Sequence, residues 1–495
     1  MSPRARDLIL ALDQGSSSSR ALVFDLKGRV VGQAARPVCT RRPQAGWAQH
    51  DPRELASSLE NSLDAVLSKL GPKDRVLAAG LAVQRSTIVF CERGTFKPVA
   101  PAPSWMDGRA EEFVAGLQER QGEVHALSGL YATPYYSAPK IRWFLDRDKH
   151  VRALADAGRL LCAPVSTFLA ARLTKGAVVA ADPTCAQRTL LMNLDTAAWD
   201  PGLLALFGLS AEILPSIRPS GGDWGVIERK GRTFPLHAAV GDQQAAAVGL
   251  GAAREGDAVA NYGTGAFLLR HTGAVPHRAP GLLVSPAATM GAAKGFYLEG
   301  TVHAAGTSFE WLRDNLGLMK DAKAIDAAFK TSKRRVLMLP AIGGLGAPRW
   351  DYKTKTAFFG LDSQTKAADL VRATAEGLCM LVADAAAVMS AAGAPVTRAR
   401  VAGGLSRSNA MMSCQADVLG AVLERRREVE ATALGAAVLA AQAAGLPDAE
   451  KMSSAPIEKT FSPQSDAVTR SRRRAEWTAF VESTQRLSRE ISFQQ

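Results

Sequence analysis

At 495 residues the chain is longer than a single hydrophobic core usually grows, so two large domains are expected. Forty-seven per cent hydrophobic residues and 43 glycines describe an α/β chain rich in tight turns and exclude a disordered one. The formal charge of +13 is spread along the chain, and its strongest runs, Lys333-Arg334-Arg335, Arg425-Arg426-Arg427 and Arg472-Arg473-Arg474, lack aromatic interleaving or a recognition motif. They read as solvated surface with no nucleic-acid partner, while the positive balance favours anionic small molecules such as nucleotides and phosphorylated metabolites.

Cysteines at 39, 91, 162, 185, 379 and 414 are too scattered for a compact metal site and read as reduced core thiols of a cytoplasmic protein. The basic start MSPRARDLILALDQG runs straight into a short strand, and no apolar run approaches about 18 residues. Neither a secretory leader nor membrane insertion is expected.

In chain order, Leu8 to Asp13 reads as a buried strand, the four serines 16–19 as a turn, Ala21 to Asp25 as a returning strand, and Val30 as the start of a third. A helix follows from Pro52 to about Leu70, with Asp51 as its cap, Glu54 in a capping box, and Leu55, Leu59, Leu63, Val66 and Leu67 on one face. Leu77 to Val83 is a core strand that delivers Gln84, Arg85 and Ser86 at its end, and 87–91 continues extended. Around Val240 the pattern resets: a strand, the turn Gly241-Asp242 and an alanine-rich helix precede VANYGTGAFLLRHTG, which is laid out like the opening ALDQGSSSSRALVFD. Two such hairpins in the two halves predict a duplicated architecture with a boundary near 245–255, giving lobes over 1–250 and 251–495. Glycine turns at 303–308, 343–348 and 403–406, helices near 367–389 and 431–444, an irregular stretch at 456–463 and a basic helix at 469–490 complete the chain.

Phosphate is cradled by backbone N–H groups that converge in a tight turn, best with hydroxyls beside them. The segment from Asp13 to Arg20 offers one such turn, with Ser16, Ser17 and Ser18, and Tyr262-Gly263-Thr264-Gly265 offers a second; there is no GxxxxGK[ST] loop. Each alone reads better as an ordinary hairpin turn, and it is the matched pair that favours a nucleotide. Asp242 sits between a hydrophobic run and a helix, where α/β crevices bind substrates, and serves there either as a base for a hydroxyl or as a helix cap. Arg85 is a clamp for substrate oxygens or a surface ion pair, and Trp105 walls a carbon chain or fills core. The seven histidines form no HxH or HExxH arrangement.

The chain resembles the FGGY carbohydrate kinases over nearly its whole length. ALDQGSSSSRALVFD, AGWAQHDP, SGLYATPYYSAPKIRWFLD, GDQQAA, NYGTGAFLL, GLGAPRWD and CQADVLG are similar to family segments and fall in the family's order and spacing. The resemblance implies two RNase H-like lobes of the actin and hexokinase type, with ATP in the cleft between them. It implies that Asp13 positions Mg²⁺, that Ser16, Ser17, Ser18 and Arg20 line the β- and γ-phosphates, and that Gly263 and Thr264 form an opposing phosphate loop. Gly306, Glu310, Gly404 and Ser408 fall at family contacts to adenosine and phosphate. Asp242 falls at the catalytic base, and Arg85, Ser86, Trp105, Tyr135, Gln243 and Phe267 around the acceptor. A homodimer or homotetramer is also implied, and no heptad stripe selects between them.

Within the family the likeness is greatest to members that phosphorylate glycerol, which makes glycerol the leading acceptor. The departures lie on the acceptor side. Where those members carry Asn-Gln-Arg-Glu, this chain has Val83-Gln84-Arg85-Ser86. A serine is shorter and neutral, which admits a larger polyol or a ketose such as erythritol, xylitol, ribulose or xylulose. The loop that binds a sugar bisphosphate in bacterial relatives appears as ERKGRTF without its double glycine, so that regulation is not expected. Outside kinases, the alternative is an actin-like nucleotide-binding interaction protein.

Overall fold

The computed structural model describes residues 5–427 and 430–492. The first four residues, part of the basic start read for a leader, lie outside the described residues. The chain forms two compact units: Met1–Ala253 with Ser285–Gly295 and Val429–Ala455, and Arg254–Val284 with Phe296–Glu428 and Pro456–Gln495. The first passage between them falls between Ala253 and Arg254, and the chain then returns to the first unit twice.

In the first unit a six-stranded sheet runs in the order Val226–Arg229, Arg232–Gly241, Arg75–Val83, Asp7–Gln14, Ser18–Asp25, Val30–Pro37. The last three form an antiparallel meander, and Arg75–Val83 and Arg232–Gly241 add to it in parallel. The serine turn is shorter than its sequence suggests. Ser18 and Ser19 already belong to the returning strand, opposite Pro37 and Arg36, because three residues suffice to reverse the chain once Gly15 N–H reaches the Ser18 carbonyl at 2.9 Å.

The helix Pro52–Leu67 crosses one face of this sheet. Asp51 accepts the Arg53 N–H at 2.9 Å, and Leu55, Leu59, Leu63, Val66 and Leu67 are buried. Each buried leucine contributes roughly 1.5–3 kcal/mol. Its serines are used as well: Ser58 Oγ lies 2.7 Å from Ser19 Oγ and Ser62 Oγ donates to the Ser19 carbonyl at 3.1 Å, tying the helix to the strand after the turn. Glu54 departs from the expected capping box, because its carboxylate accepts the N–H of Cys39 at 2.9 Å.

On the other face lies Ala431–Ala443, whose residues Ala433 to Ala441 are all buried. A Cβ on Gly80 would lie 2.1 Å from the Ala436 carbonyl oxygen, one on Gly249 1.9 Å from that of Ala431, and one on Gly435 1.7 Å from that of Ala245. Glycine is therefore required where this helix meets the sheet and the helix Asp242–Gly249.

In the second unit the strands run Phe296–Val302, Ala266–His271, Ala258–Tyr262, Arg398–Ala402, Val422–Arg426, Ile457–Phe461, with Leu283–Pro286, which begins in this unit, as a further edge strand beside Phe296–Val302. The first three are antiparallel neighbours, and Arg398–Ala402 and Val422–Arg426 add in parallel. This repeats the first unit's pattern, a meander followed by parallel additions and an antiparallel edge.

The stretch read as irregular holds the edge strand Ile457–Phe461, antiparallel to Val422–Arg426. Four of its five side chains are exposed, so it lacks the apolar alternation that marks a strand. Arg425, read as solvated, is buried and donates to the carbonyl of Ser406 at 2.8 Å and to Asn409 Oδ1 at 3.0 Å. Against the expectation of no such run, the helix Ala367–Ala391 is long and apolar enough to cross a membrane by length and composition, yet most of it is buried within the protein as a core helix.

Among the six cysteines, all free, Cys39 is exposed and Cys414 half-buried, so only four are core thiols.

Candidate active site

The first unit gathers several of the residues singled out in the sequence at the carboxyl ends of its parallel strands. Asp13 lies near the end of Asp7–Gln14, Arg85 and Ser86 follow Arg75–Val83, and Asp242 opens the helix after Arg232–Gly241. The strand passes directly into that helix, without the turn expected at Gly241-Asp242. Arg85 Nε stands 3.4 Å from Asp242 Oδ1, and Arg85 Nη1 donates to Gln244 Oε1 at 3.2 Å. Gly241 leaves room for this, since a Cβ there would meet Arg85 Cδ at 2.6 Å. The Asp242 side chain remains about one-third exposed, open to a ligand.

The strand end that presents Asp242 is held from behind. Thr184 Oγ1 accepts the Gly241 N–H at 2.7 Å and donates to Asp182 Oδ2 at 2.5 Å, which also receives Ser220 Oγ at 2.9 Å. Asp182 is fully buried, and that burial pushes its carboxyl above the ordinary range despite these donors.

Asp13 is a second buried carboxylate. Arg20 Nη2 meets its Oδ2 at 2.5 Å, and the other arm of the guanidinium pairs with Glu430. Burial pushes Asp13 up to about 6; Arg20 opposes the shift, and the neighbouring charges of Asp242 and Glu430 add to it. Among the described residues no group of three or more His, Cys, Asp or Glu side chains forms a metal cage. Two carboxylates that repel one another suit a hard cation that arrives on phosphate oxygens and keeps several waters, which is how Mg²⁺ is usually held. The residues present therefore fit the ion.

The serine turn connects to the acceptor side through Gln84. Its Oε1 accepts Ser16 Oγ at 3.2 Å and Thr87 Oγ1 at 3.0 Å, and its Nε2 donates to Gln14 Oε1 and to the Gly15 carbonyl, both at 3.2 Å. Trp105 joins this cluster, with Nε1 donating to Ser16 Oγ at 2.8 Å and its backbone N–H to Thr87 Oγ1 at 3.1 Å. Ser17 is exposed at the tip of the turn. Trp105 and Tyr135 are each 40% exposed, too open for core residues and suited to walling a ligand. Ser86 has φ 65°, a left-handed backbone uncommon for serine, and its carbonyl accepts Ser137 Oγ at 3.2 Å. Gln243 is the second residue of the Asp242 helix.

The second unit holds the remaining candidates. Gly263 and Thr264 form the turn between Ala258–Tyr262 and Ala266–His271, and their carbonyls accept the N–H groups of Gly306 and Ala305, both at 3.0 Å. Cβ atoms on Gly306 and Gly403 would meet the carbonyl oxygens of Gly263 at 2.7 Å and Tyr262 at 2.4 Å, so these loops touch backbone to backbone. Around Gly404 there is open space. Glu310 is exposed on the helix Gly306–Asp314. Ser408 caps Asn409–Leu419 by accepting the Met411 N–H at 3.2 Å. Phe267 lies opposite Thr301 in the sheet of this unit, so it is not among the acceptor candidates that the first unit brings together.

Sequence reasoning assigned no role to Thr87, Thr184 or Asp182, and named Gln84 only as a strand-end residue. All are buried polar side chains whose bonds run between distant segments, which sequence spacing does not reveal. Lys140 had a readable signal: it falls on the buried face of the helix Ser137–Arg147 with Ser137, Ile141 and Phe144, an unusual place for a lysine.

Comparison with known proteins agrees with this architecture. Residues 8–249 match the N-terminal domain, and residues 258–444 the C-terminal domain, of the FGGY family of carbohydrate kinases. The chain belongs to this family. It is 38% identical over 488 residues to a glycerol kinase of Methylobacterium nodulans, covering 96% of this chain and 97% of the relative. It is 39% identical over 438 residues to a glycerol kinase of Thermus brockianus, covering 87% and 88%. Among solved structures, Plasmodium falciparum glycerol kinase with ADP superposes with a TM-score of 0.91 at 27% identity, covering 97% of this chain and 98% of that one. A xylulose kinase from Rhodospirillum rubrum, at 21% identity, shares the fold with a TM-score of 0.86, covering 97% and 100%.

Proposed function

We propose that this carbohydrate kinase transfers the γ-phosphate of ATP to a terminal hydroxyl of a small polyol, with glycerol as the leading acceptor and glycerol 3-phosphate and ADP as products. The observation that carries the reading is the Arg85–Asp242 pair at 3.4 Å, opening to solvent in the unit that also presents Trp105 and Tyr135. A carboxylate held beside a guanidinium can take a proton from a hydroxyl that the same guanidinium orients.

The acceptor hydroxyl gives its proton to Asp242 as its oxygen attacks the γ-phosphorus in line; the new P–O bond forms as the bond to the β-phosphate oxygen breaks and ADP leaves. Arg85 and Gln243 hold the remaining hydroxyls, and Trp105 and Tyr135 pack the carbon chain. Arg20 and the turn Ser16-Ser17-Ser18 hold the β- and γ-phosphates, with Gly263 and Thr264 as a second phosphate loop. Gly306, Glu310, Gly404 and Ser408 hold the adenosine side. Mg²⁺, positioned by Asp13, supplies charge neutralisation on the phosphate oxygens. The reaction belongs to the cytoplasm, where ATP is made and used.

A larger acceptor is the second reading, and Ser86 favours it. Its carbonyl is committed to Ser137 and its side chain is short and neutral, so this wall lacks a carboxylate to discriminate by charge.

The Asp242→Asn variant tests the assignment. It should keep the fold and nucleotide affinity while kcat falls by about 10²–10⁴-fold, the usual contribution of a general base. An Asn variant with wild-type kcat would remove Asp242 from the chemistry.

A further inference from the structure

Lys140 is fully buried, and its Nζ reaches three backbone carbonyls: Ser104 at 2.6 Å, Tyr135 at 2.6 Å and Ser86 at 3.3 Å. These carbonyls come from three separate segments. Ser86 follows Arg85, Ser104 precedes Trp105, and Tyr135 is itself an acceptor-wall residue. Three of the segments that carry proposed acceptor side chains in the first unit are thus tied to one nitrogen atom, while the fourth, with Asp242 and Gln243, is not.

The charge state of that atom matters. An ammonium has three N–H donors, one for each carbonyl, whereas a neutral amine has two donors and a lone pair that would face a carbonyl oxygen. Burial pushes Lys140 down to about 7, with Asp107 favouring the ammonium and Arg109 opposing it. Arg109 is bonded to Asp107 at 2.7 and 2.8 Å, so their opposite influences largely offset. The segments themselves carry two further titratable groups: the Arg85 guanidinium, always charged, and the Tyr135 phenol, which burial keeps protonated above its ordinary range.

We infer that Lys140 is the positioning residue of the acceptor pocket: its three N–H groups set the spacing of Arg85–Ser86, Trp105 and Tyr135, and thereby acceptor affinity and selectivity. This inference rests on the kinase reading for its functional consequence, while its structural content stands apart from the acceptor's identity. Lys140 touches neither substrate nor phosphate in this scheme and acts through the three segments.

Two measurements on Lys140→Met and the wild-type enzyme test it. In amide hydrogen exchange of the ligand-free protein, the segments 84–87, 104–106 and 134–137 should lose protection together in the variant. In kinetics, the acceptor KM should rise by about tenfold or more, and the glycerol to xylitol selectivity should shrink, while the KM for ATP changes less than about twofold. Should Lys140→Met fail to fold, the wild type carries the test. As pH rises from about 6 to about 9 and the ammonium is lost, the three segments should lose protection in concert, after correction for intrinsic exchange, and the acceptor KM should climb. Exchange that changes in one segment or none, or an acceptor KM that moves no more than that for ATP, would overturn the inference. Wild-type protein without any acceptor-dependent turnover would instead remove the kinase reading, and the exchange experiment would still decide the role of Lys140.

Discussion

At the scale of single residues, the proposed acceptor specificity turns on Ser86. Its left-handed backbone, with φ 65°, fixes its carbonyl toward Ser137 and Lys140, so the side chain alone distinguishes this wall from one carrying a carboxylate. Ser86→Glu should restore a charged acceptor next to Arg85 and raise the kcat/KM ratio of glycerol over xylitol by about tenfold or more, as expected when a buried polar partner is supplied to one substrate and space is taken from the other. Steady-state kinetics with both acceptors checks this, and an unchanged ratio would place the discriminating contact elsewhere. Arg425 and Lys140 show why single cations are hard to read from sequence. A run of three arginines looks solvated, yet Arg425 is spent on the carbonyls and side chains around Ser406 and Asn409. A burial this costly is stable only because every donor finds an oxygen outside its own helix or strand.

At the scale of elements, the helix Asp242–Gly249 depends on Ala431–Ala443, some two hundred residues away in the chain. Gly249 and Gly435 let the two backbones touch, and Gly435→Val would drive a side chain into the Ala245 carbonyl, which a Cβ alone already meets at 1.7 Å. The variant should lose about 1–3 kcal/mol of stability by overpacking, and its phosphoryl transfer should fall because the displaced helix begins with Asp242. Thermal unfolding and turnover together check this; a variant with wild-type melting and rate would show that the crossing relaxes without cost. The pairing of these helices was not legible in the sequence. Ala431–Ala443 is buried on all sides and has no polar stripe to say which partner it faces, and nothing local tells it to pack on the first unit. The first meander, the hairpin of the second unit and the helix Pro52–Leu67 were legible, because alternation, capping by Asp51 and an apolar leucine face are local signals, whereas the strand Phe296–Val302 that completes the second meander was not read. The edge strand Ile457–Phe461 was not, since an exposed edge carries little apolar pattern.

A second element shows how pH enters. Asp369, in the first turn of Ala367–Ala391, accepts the backbone N–H groups of Arg334 at 3.0 Å, Lys333 at 2.9 Å and Lys366 at 2.8 Å, together with Ser332 Oγ at 2.8 Å. These donors, led by the Arg334 N–H, hold its carboxyl far below the ordinary range. A depressed folded value contributes stability that is complete above the unfolded carboxylate value of about 4 and is lost as pH falls below it. Asp369→Asn should therefore lower the melting temperature at neutral pH and flatten the decline of stability in acid. A variant with the wild-type acid profile would assign that decline to other carboxylates.

At the scale of the molecule, one strand pattern occurs twice, a meander with parallel additions, and each copy places a glycine or serine turn between its first two strands. The repeated hairpins announced this duplication in the sequence, and the two FGGY domain models divide the chain in the same way, over residues 8–249 and 258–444. The first unit carries Asp13, Arg85 and Asp242 on neighbouring strand ends, the arrangement on which the proposed phosphorylation of a hydroxyl rests. The most direct measurement is ADP release by the purified protein with Mg-ATP and a panel of glycerol, erythritol, xylitol, ribitol, D-ribulose, D-xylulose and L-ribulose, with the mass of each product determined. Acceptor-dependent release with one phosphorylated product per ADP, strongest with glycerol, is the predicted result; ADP release that no acceptor stimulates, with no phosphorylated product, would contradict the account.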